Sequence, residues 1–405
     1  MPGRDTRVSM RRGASLPAHV RVAIVGGGGT GAAILHDLTL RGFSCTLYER
    51  GELTSGTTGR HHGQLHSGAR YAVNDVEIAR ECIEEVHVLR RIASESIEMN
   101  YGLFLALDDD DAEYAERFAS SCESAGIAAR RISIEQALRH EPRINPDARF
   151  AYVVPDGTLD AYRLPLQFLA TATANGAVVR RFCEVTSIET SNARVTGVVV
   201  RDRATGTEER HRADVVVNAA GPWAGKVALL AGLELPVTPA PGTMVAVGRR
   251  LGNMVVSHLH PPHDGDIIVP QRGLSIIGST QWETDEPDGV RTPEDDIEWL
   301  LRRADDLMPG FSRERFHAAW TAVRPLAGRG ETGTGRALSR DYSVIAHARE
   351  GAAGVYSVTG GKATVLRAMG EATADAICRD LGVDAPCVTR ETALLSHRAF
   401  FRRRA

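Results

Sequence analysis

Apolar and polar positions alternate along the chain in blocks that read as separate elements. The first is Val20-Arg21-Val22-Ala23-Ile24-Val25, a short β-branched run that predicts a buried parallel strand. A glycine cluster, Gly26 to Gly31, follows it. A helical pattern then runs from Ala32-Ala33-Ile34-Leu35 through Leu40 and closes at Gly42. A second strand over residues 43–48 ends at Glu49, completing a βαβ unit. Further helices are expected over 75–95, in two stretches of 112–140, and over 161–175. Strands are expected over 177–188 and 195–202, with a hairpin turn at Ala204-Thr205-Gly206. Residues 215–221 read as a buried strand ending in small residues. Residues 236–330 change texture, alternating strands with one long helix near 293–308. The strand Val355-Tyr356-Ser357-Val358 and a last helix to about Leu381 return to the opening pattern.

This order predicts an α/β fold. A Rossmann-like nucleotide domain is assembled from residues 20–95, 150–232 and 335–392. An α+β domain with a mostly antiparallel sheet (96–149 and 233–334) is inserted into it, and 1–19 and 393–405 are tails.

Composition bounds the function classes. With 405 residues and 43% hydrophobic content, the chain buries more than one compact core. A net charge of −3 gives no reason to expect a nucleic acid partner. Arg4, Arg7, Arg11 and Arg12, and Arg402-Arg403-Arg404, mark basic ends. They read as solvated tails, with peripheral contact to an anionic membrane surface as the second reading. No leader-like apolar run is seen, and none approaches the roughly 18 residues of a spanning helix, so the expected location is the cytoplasm. Six scattered cysteines form no CxxC pair, which argues for reduced structural thiols and against zinc or iron–sulfur ligation. The run Asp108-Asp109-Asp110-Asp111 reads as a solvated turn before a helix, since four neighbouring carboxylates diverge, and no metal site is expected.

The chemistry is carried by motifs. Gly26-Gly27-Gly28-Gly29-Thr30-Gly31 fits GxGxxG: Gly26 for the tight turn, Gly28 for close approach of a pyrophosphate, Gly31 for helix–strand packing. The helix start beside Thr30 offers N–H groups to phosphate. Glu49 is placed for ribose hydroxyls, with Arg50 beside it. The choice of FAD over NAD comes from distant segments. Asn218-Ala219-Ala220-Gly221 ends a strand in small residues, and Gly360-Gly361-Lys362 opens a late helix. Two helix starts far apart in sequence suit an extended cofactor with negative charge at both pyrophosphate and reduced ring. The loop of residues 57–71 is polar and glycine-rich, as functional loops often are.

At that loop a family resemblance emerges. The stretches Leu65-His66-Ser67-Gly68-Ala69-Arg70-Tyr71, Val154-Pro155-Asp156-Gly157-Thr158, Val323-Arg324-Pro325-Leu326 and Thr359-Gly360-Gly361-Lys362, in this order after the glycine motif, resemble the FAD-dependent glycerol-3-phosphate dehydrogenases. These belong to the D-amino acid oxidase and glycine oxidase superfamily, and the anaerobic-type large subunit is the nearest pattern. The resemblance implies oxidation of sn-glycerol 3-phosphate to dihydroxyacetone phosphate by hydride transfer from C2 to flavin N5. It implies Arg70 and Arg324 on the substrate's anionic group, with Tyr71 beside the first, and Lys362 near flavin and substrate. His66 and Lys362 both remain open as the base. The flavin contacts expected are Gly26, Gly28, Thr30, Gly31, Glu49, Arg50, Thr58, Gly59, His62, Gly63, Ser67, Val185, Ala220, Gly221, Gly360, Gly361 and Lys362. The family's cysteine-rich C-terminal module has no counterpart here, which leaves the external electron acceptor open between a quinone, oxygen and a partner protein. Another anionic hydroxy acid, a phosphonate alcohol or an amine remains the alternative substrate, and a flavin-binding subunit without turnover is a third reading.

Overall fold

The computed structural model describes residues 20–328 and 341–402. Its first strand, Arg21–Val25, lies at the heart of a six-stranded sheet. The order is Tyr342–Ala346, Val355–Gly360, Val215–Asn218, Arg21–Val25, Ser44–Glu49, Val178–Arg181, all parallel except the first strand of that order. Buried on both faces, the central strands have no polar side to show, and their apolar runs follow from that. The helix Gly29–Leu40 packs against Arg163–Ala174 on one side and Leu366–Leu381 on the other.

The second layer is an eight-stranded sheet, in the order Phe316–Ala327, Val237–Val247, Leu274–Gly278, Ile267–Gln271, Val255–His258, Gly102–Ala106, Phe150–Val154, Arg130–Ser133. It is antiparallel except between Val255–His258 and Gly102–Ala106. The helix Glu294–Leu307 covers its core, burying Leu300, Ala304 and Leu307.

Several expectations are corrected. The apolar run 150–154 belongs to this second sheet, not to the nucleotide domain. The strand expected over 177–188 is two: Val178–Arg181 joins the first sheet and Cys183–Ser191 a three-stranded one. The break falls at Phe182, at φ 56°, where the chain switches sheets. The acidic run is the expected exposed turn into a helix over Asp108–Asp110, and departs from it only at Asp111. Asp108 caps the helix Asp109–Ser124, and Asp111 turns inward, accepting from Leu107 N–H at 2.7 Å and meeting His258 Nε2 at 2.8 Å. The expected tail after 392 is docked: Leu394 N–H donates to Ile92 O, Leu395 N–H to Thr171 Oγ1, and His397–Phe401 forms a short helix against Arg163–Ala174. The basic residues 1–19 and Arg403-Arg404, and the domain boundary expected at 334–335, lie outside the described residues. Among the described residues no helix is long and apolar enough to cross a membrane. The six cysteines are free thiols, five of them buried.

Candidate active site

A cavity of about 1430 Å³ opens between the two sheets. One part of its wall is the glycine turn. Gly26, at φ 113°, donates its N–H to Tyr48 O at 2.9 Å; a Cβ there would stand 2.6 Å from Ala219 O. At Gly28 a Cβ would meet only Thr58 Oγ1, at 3.2 Å, so its missing side chain leaves room on the cavity side. Gly28 caps Gly29–Leu40 without a side-chain bond; Gly29 N–H donates to Thr58 Oγ1 at 2.9 Å. A helix start lined by glycine, with only the small Thr58 hydroxyl against its first N–H, is a fitting seat for a pyrophosphate. Glu49 stands beside it, its carboxylate fixed by Gly27 N–H and Gly51 N–H, each at 2.7 Å. Arg50 stacks 4.6 Å from the Trp223 ring and pairs with Asp288 at 3.0 Å. Val185, Ala220 and Gly221 complete this part of the wall.

The other part carries the reactive groups. Gly360 and Gly361, at φ 75° and 89°, turn the chain so that Lys362 caps the next helical segment. Lys362 Nζ sits 5.3 Å from the Tyr71 ring centroid, and that ring lies 4.9 Å from His66. His66 Nδ1 accepts from Gly68 N–H at 3.0 Å, which commits that nitrogen to the backbone turn and sets the ring's orientation. His61 and His62 repeat this hold, each accepting the N–H two residues on, at 2.9 and 3.2 Å. Burial pulls the His61 pKa down to about 4. Burial, together with His61 and the guanidinium groups of Arg324 and Arg70, pulls His62 down to about 3. Both rings are therefore neutral at pH 7, and His62 also lies in the field of the two arginines.

Arg70 is half engaged. Its Nη2 donates to His263 O at 2.7 Å and to Asp266 Oδ2 at 2.8 Å, while Nη1 is buried with no protein acceptor. Arg324, on the strand Phe316–Ala327, donates from Nη2 to Ser279 Oγ and reaches Thr280 O at 3.4 Å. Thr57 Oγ1 donates to Val323 O and joins the 57–71 loop to that strand.

His66, Arg70, Tyr71, Arg324 and Lys362 thus line one cavity with Gly26, Gly28, Thr30, Glu49, Arg50, Thr58, His62, Val185, Ala220, Gly221, Gly360 and Gly361. Four expected contacts stand behind the wall instead. Gly31 packs on the turn, where a Cβ would lie 2.0 Å from Gly26 O. Gly59 N–H donates to Thr54 O. Gly63 O accepts from Leu159 N–H and Gln271 Nε2. Ser67 gives both its N–H and Oγ to buried Asp156, each at 2.7 Å, which also holds Gln64. Burial raises the Asp156 pKa. Lining residues not singled out from the sequence include Trp223, Ser279 and Gln281; Gly221-Pro222-Trp223, a strand-end break followed by an aromatic, is the one readable hint among them.

The glycine cradle, the open helix start and the unspent Arg70 Nη1 fit a bound dinucleotide with an anionic substrate beside it. Comparison with known proteins agrees. The profile of the FAD dependent oxidoreductase family (DAO) matches residues 21–376. The matching component of the anaerobic glycerol-3-phosphate dehydrogenase from Escherichia coli (strain K12) is 42% identical over 376 residues, covering 92% of this chain and 69% of that protein. Its counterpart in the anaerobic glycerol-3-phosphate dehydrogenase from Haloferax volcanii is 39% identical over 385 residues, covering 92% and 66%. The crystal structure of glycerol-3-phosphate dehydrogenase from Bacillus halodurans complexed with FAD superposes with a TM-score of 0.72 at 25% identity, covering 93% of this chain and 68% of that one. The chain belongs to the FAD-dependent oxidoreductase family, in the branch that holds these anaerobic glycerol-3-phosphate dehydrogenase components.

Proposed function

We propose that the chain oxidises the C2 hydroxyl of sn-glycerol 3-phosphate, giving dihydroxyacetone phosphate. One observation carries this reading: Arg70, with Nη1 unspent, shares a cavity with Arg324, His66 and Lys362. Bound FAD, held along the 26–30 turn, Glu49 and the 360–362 turn, supplies the two-electron acceptor for the C2 hydride. The chain's own work is to bind the phosphate and manage the hydroxyl proton. Arg70 and Arg324 offer N–H donors to phosphate oxygens. The ammonium of Lys362 contributes positive charge against the anion that gathers as the substrate's electrons leave.

His66 is one candidate to take the hydroxyl proton, but only in the tautomer that leaves Nε2 bare. With Nδ1 accepting from Gly68, the neutral ring keeps its proton on Nε2. The tautomer that serves as base must release Gly68 N–H, at a cost of about 1–3 kcal/mol. General base catalysis is worth roughly 10²–10⁴-fold, or about 3–5 kcal/mol, so the exchange still favours turnover. Lys362 is the other candidate for the proton within the same cavity, a role that excludes the ammonium charge described above.

The test is anaerobic titration of the FAD-loaded protein with glycerol 3-phosphate, read by loss of visible flavin absorbance. Bleaching that is reversed on adding an external quinone or oxygen fits the proposal. Absence of bleaching at millimolar substrate rejects it, and bleaching by a hydroxy acid or amine alone reassigns the substrate.

A further inference from the structure

The strands Val255–His258 and Ile267–Gln271 are joined by Leu259-His260-Pro261-Pro262-His263-Asp264-Gly265-Asp266. Behind the cavity wall this loop brings one donor atom from each of His258, His260 and Asp266 within 4.8 Å of one another.

The hydrogen bonds around the three side chains show which of their atoms keep a lone pair. His258 Nε2 lies 2.8 Å from Asp111 Oδ2. An ionised carboxylate only accepts, so Nε2 carries the ring proton and Nδ1 keeps a lone pair. His260 Nδ1 lies 2.5 Å from Pro261 O, and a carbonyl also only accepts, so His260 Nε2 is the bare nitrogen. Asp266 Oδ2 is engaged by Arg70 at 2.8 Å and by His263 N–H at 2.6 Å, leaving Oδ1. His258 Nδ1, His260 Nε2 and Asp266 Oδ1 are all shielded from solvent, and none has a hydrogen-bond partner. His260 Nε2 and Asp266 Oδ1 stand 3.2 Å apart, at ion-pair distance but outside good hydrogen-bond geometry, and against the effect of burial the proximity of His260 helps hold the Asp266 carboxyl below its usual range.

Three shielded acceptors gathered this closely are unfavourable unless a proton on His260 or a metal cation sits among them. We propose that His258, His260 and Asp266 bind a divalent transition-metal ion, zinc being the probe to try first. The donor set selects the class. Calcium and magnesium take oxygen shells, whereas two imidazoles and one carboxylate suit zinc and other divalent transition metals. The spacing agrees. Ligands about 2.0–2.1 Å from a tetrahedral zinc stand about 3.3 Å from each other; the His260–Asp266 spacing of 3.2 Å is close to this, and the remaining pairs fall within 4.8 Å, near enough for a small closure around an ion. The surroundings agree as well. Asp111 on His258 Nε2 is the carboxylate–histidine pairing that orients metal-bound imidazoles. Its charge, with that of Asp266, offsets the nearby Arg70 guanidinium. The ion acts as a staple: it ties the helix Asp109–Ser124, through His258, to the carboxylate that anchors Arg70. Nothing in this inference depends on which substrate the cavity takes.

The experiment uses the FAD-loaded full chain, stripped with a chelator, incubated with zinc, desalted and analysed for metal by mass spectrometry. About one zinc per chain is expected, with an X-ray absorption spectrum showing two imidazole ligands. His258→Gln and His260→Gln should lose the zinc while keeping the flavin spectrum. Asp111→Asn should weaken zinc about 10–100-fold in competition with a chromogenic chelator. A wild-type chain that takes up no zinc, cobalt or manganese overturns the proposal and leaves a charged His260–Asp266 ion pair as the account. Undiminished zinc in both glutamine variants overturns it too. Should those variants fail to fold, the absorption spectrum of the wild type decides, since zinc without two imidazoles refutes the site.

Discussion

Replacing Arg70 by lysine separates substrate recognition from the scaffold that holds it. In the native chain Nη2 is committed to His263 O and Asp266 Oδ2, and Nη1 is free for a substrate oxyanion. Lysine ends in one ammonium on a narrower stem. It keeps a charge beside Asp266, so the buried carboxylate retains a partner, but it does not span Asp266 and the phosphate with two separate nitrogens. The loss is one hydrogen bond to a charged group, about 1.5–3 kcal/mol. At 1.4 kcal/mol per decade, kcat/KM for glycerol 3-phosphate should fall about 10- to 150-fold, mostly through KM. Glycerol, which lacks the phosphate, is the internal control: its much slower turnover should change by less than about threefold, within the scatter of a contact it does not make. The assay is steady-state reduction of a dye acceptor with both alcohols, on wild type and Arg70→Lys loaded equally with FAD. Equal losses for both substrates would refute the reasoning, because they would make Arg70 a support of the wall and not a phosphate ligand.

Three further outcomes are expected. Gly31→Ala puts a Cβ 2.0 Å from Gly26 O, and the overpacking, about 1–3 kcal/mol, should displace the helix start and weaken FAD at least about tenfold, read by recovery of free-flavin fluorescence on dilution. His36 is buried against Phe168 with both ring nitrogens unpartnered, and burial holds its pKa at about 3. The unfolded chain binds that proton below about pH 6.5 and the folded chain does not, so stability falls as the pH drops through this window; His36→Leu should shrink the loss between pH 7 and pH 5 by about 2 kcal/mol in urea melts. Arg367, fully buried, is paired with equally buried Glu85 and with Glu371; Arg367→Met should cost about 3–5 kcal/mol by stranding Glu85, and the double variant with Glu85→Leu should recover much of it in thermal melts.

What the sequence discloses depends on how local the cause is. The strand Arg21–Val25, the glycine turn and the helix after it were readable because one continuous stretch sets both burial and backbone sterics. Arg70, Arg324 and Lys362 were readable through short motifs, although the fold alone brings them to one cavity. The run 150–154 was placed in the wrong layer because five apolar residues in a row look the same in either sheet. Phe182 hid a change of sheet, since a positive φ at a non-glycine leaves no mark in composition. Of the polar loop, composition marked the stretch but not the facing: Ser67 and Gly63 turn to the scaffold while His62 and His66 turn to the cavity. Asp111 and His258 meet only because Val255–His258 pairs with Gly102–Ala106, across some 150 residues of chain.

The central strand also dictates a schedule. Arg21–Val25 leaves the ribosome before its partners, and its neighbour Ser44–Glu49 comes soon after, but the strand on its other side, Val215–Asn218, is roughly 190 residues away. At about 5–20 residues per second, that flank arrives about 10–40 s later. Val355–Gly360 comes later still. Until then a ribbon whose first strand is apolar but for Arg21 has an open edge, a hazard for aggregation in the nascent chain. Fragments ending before residue 218 should therefore need chaperone protection, and yields of intact protein should improve when translation runs slowly enough for such protection to engage.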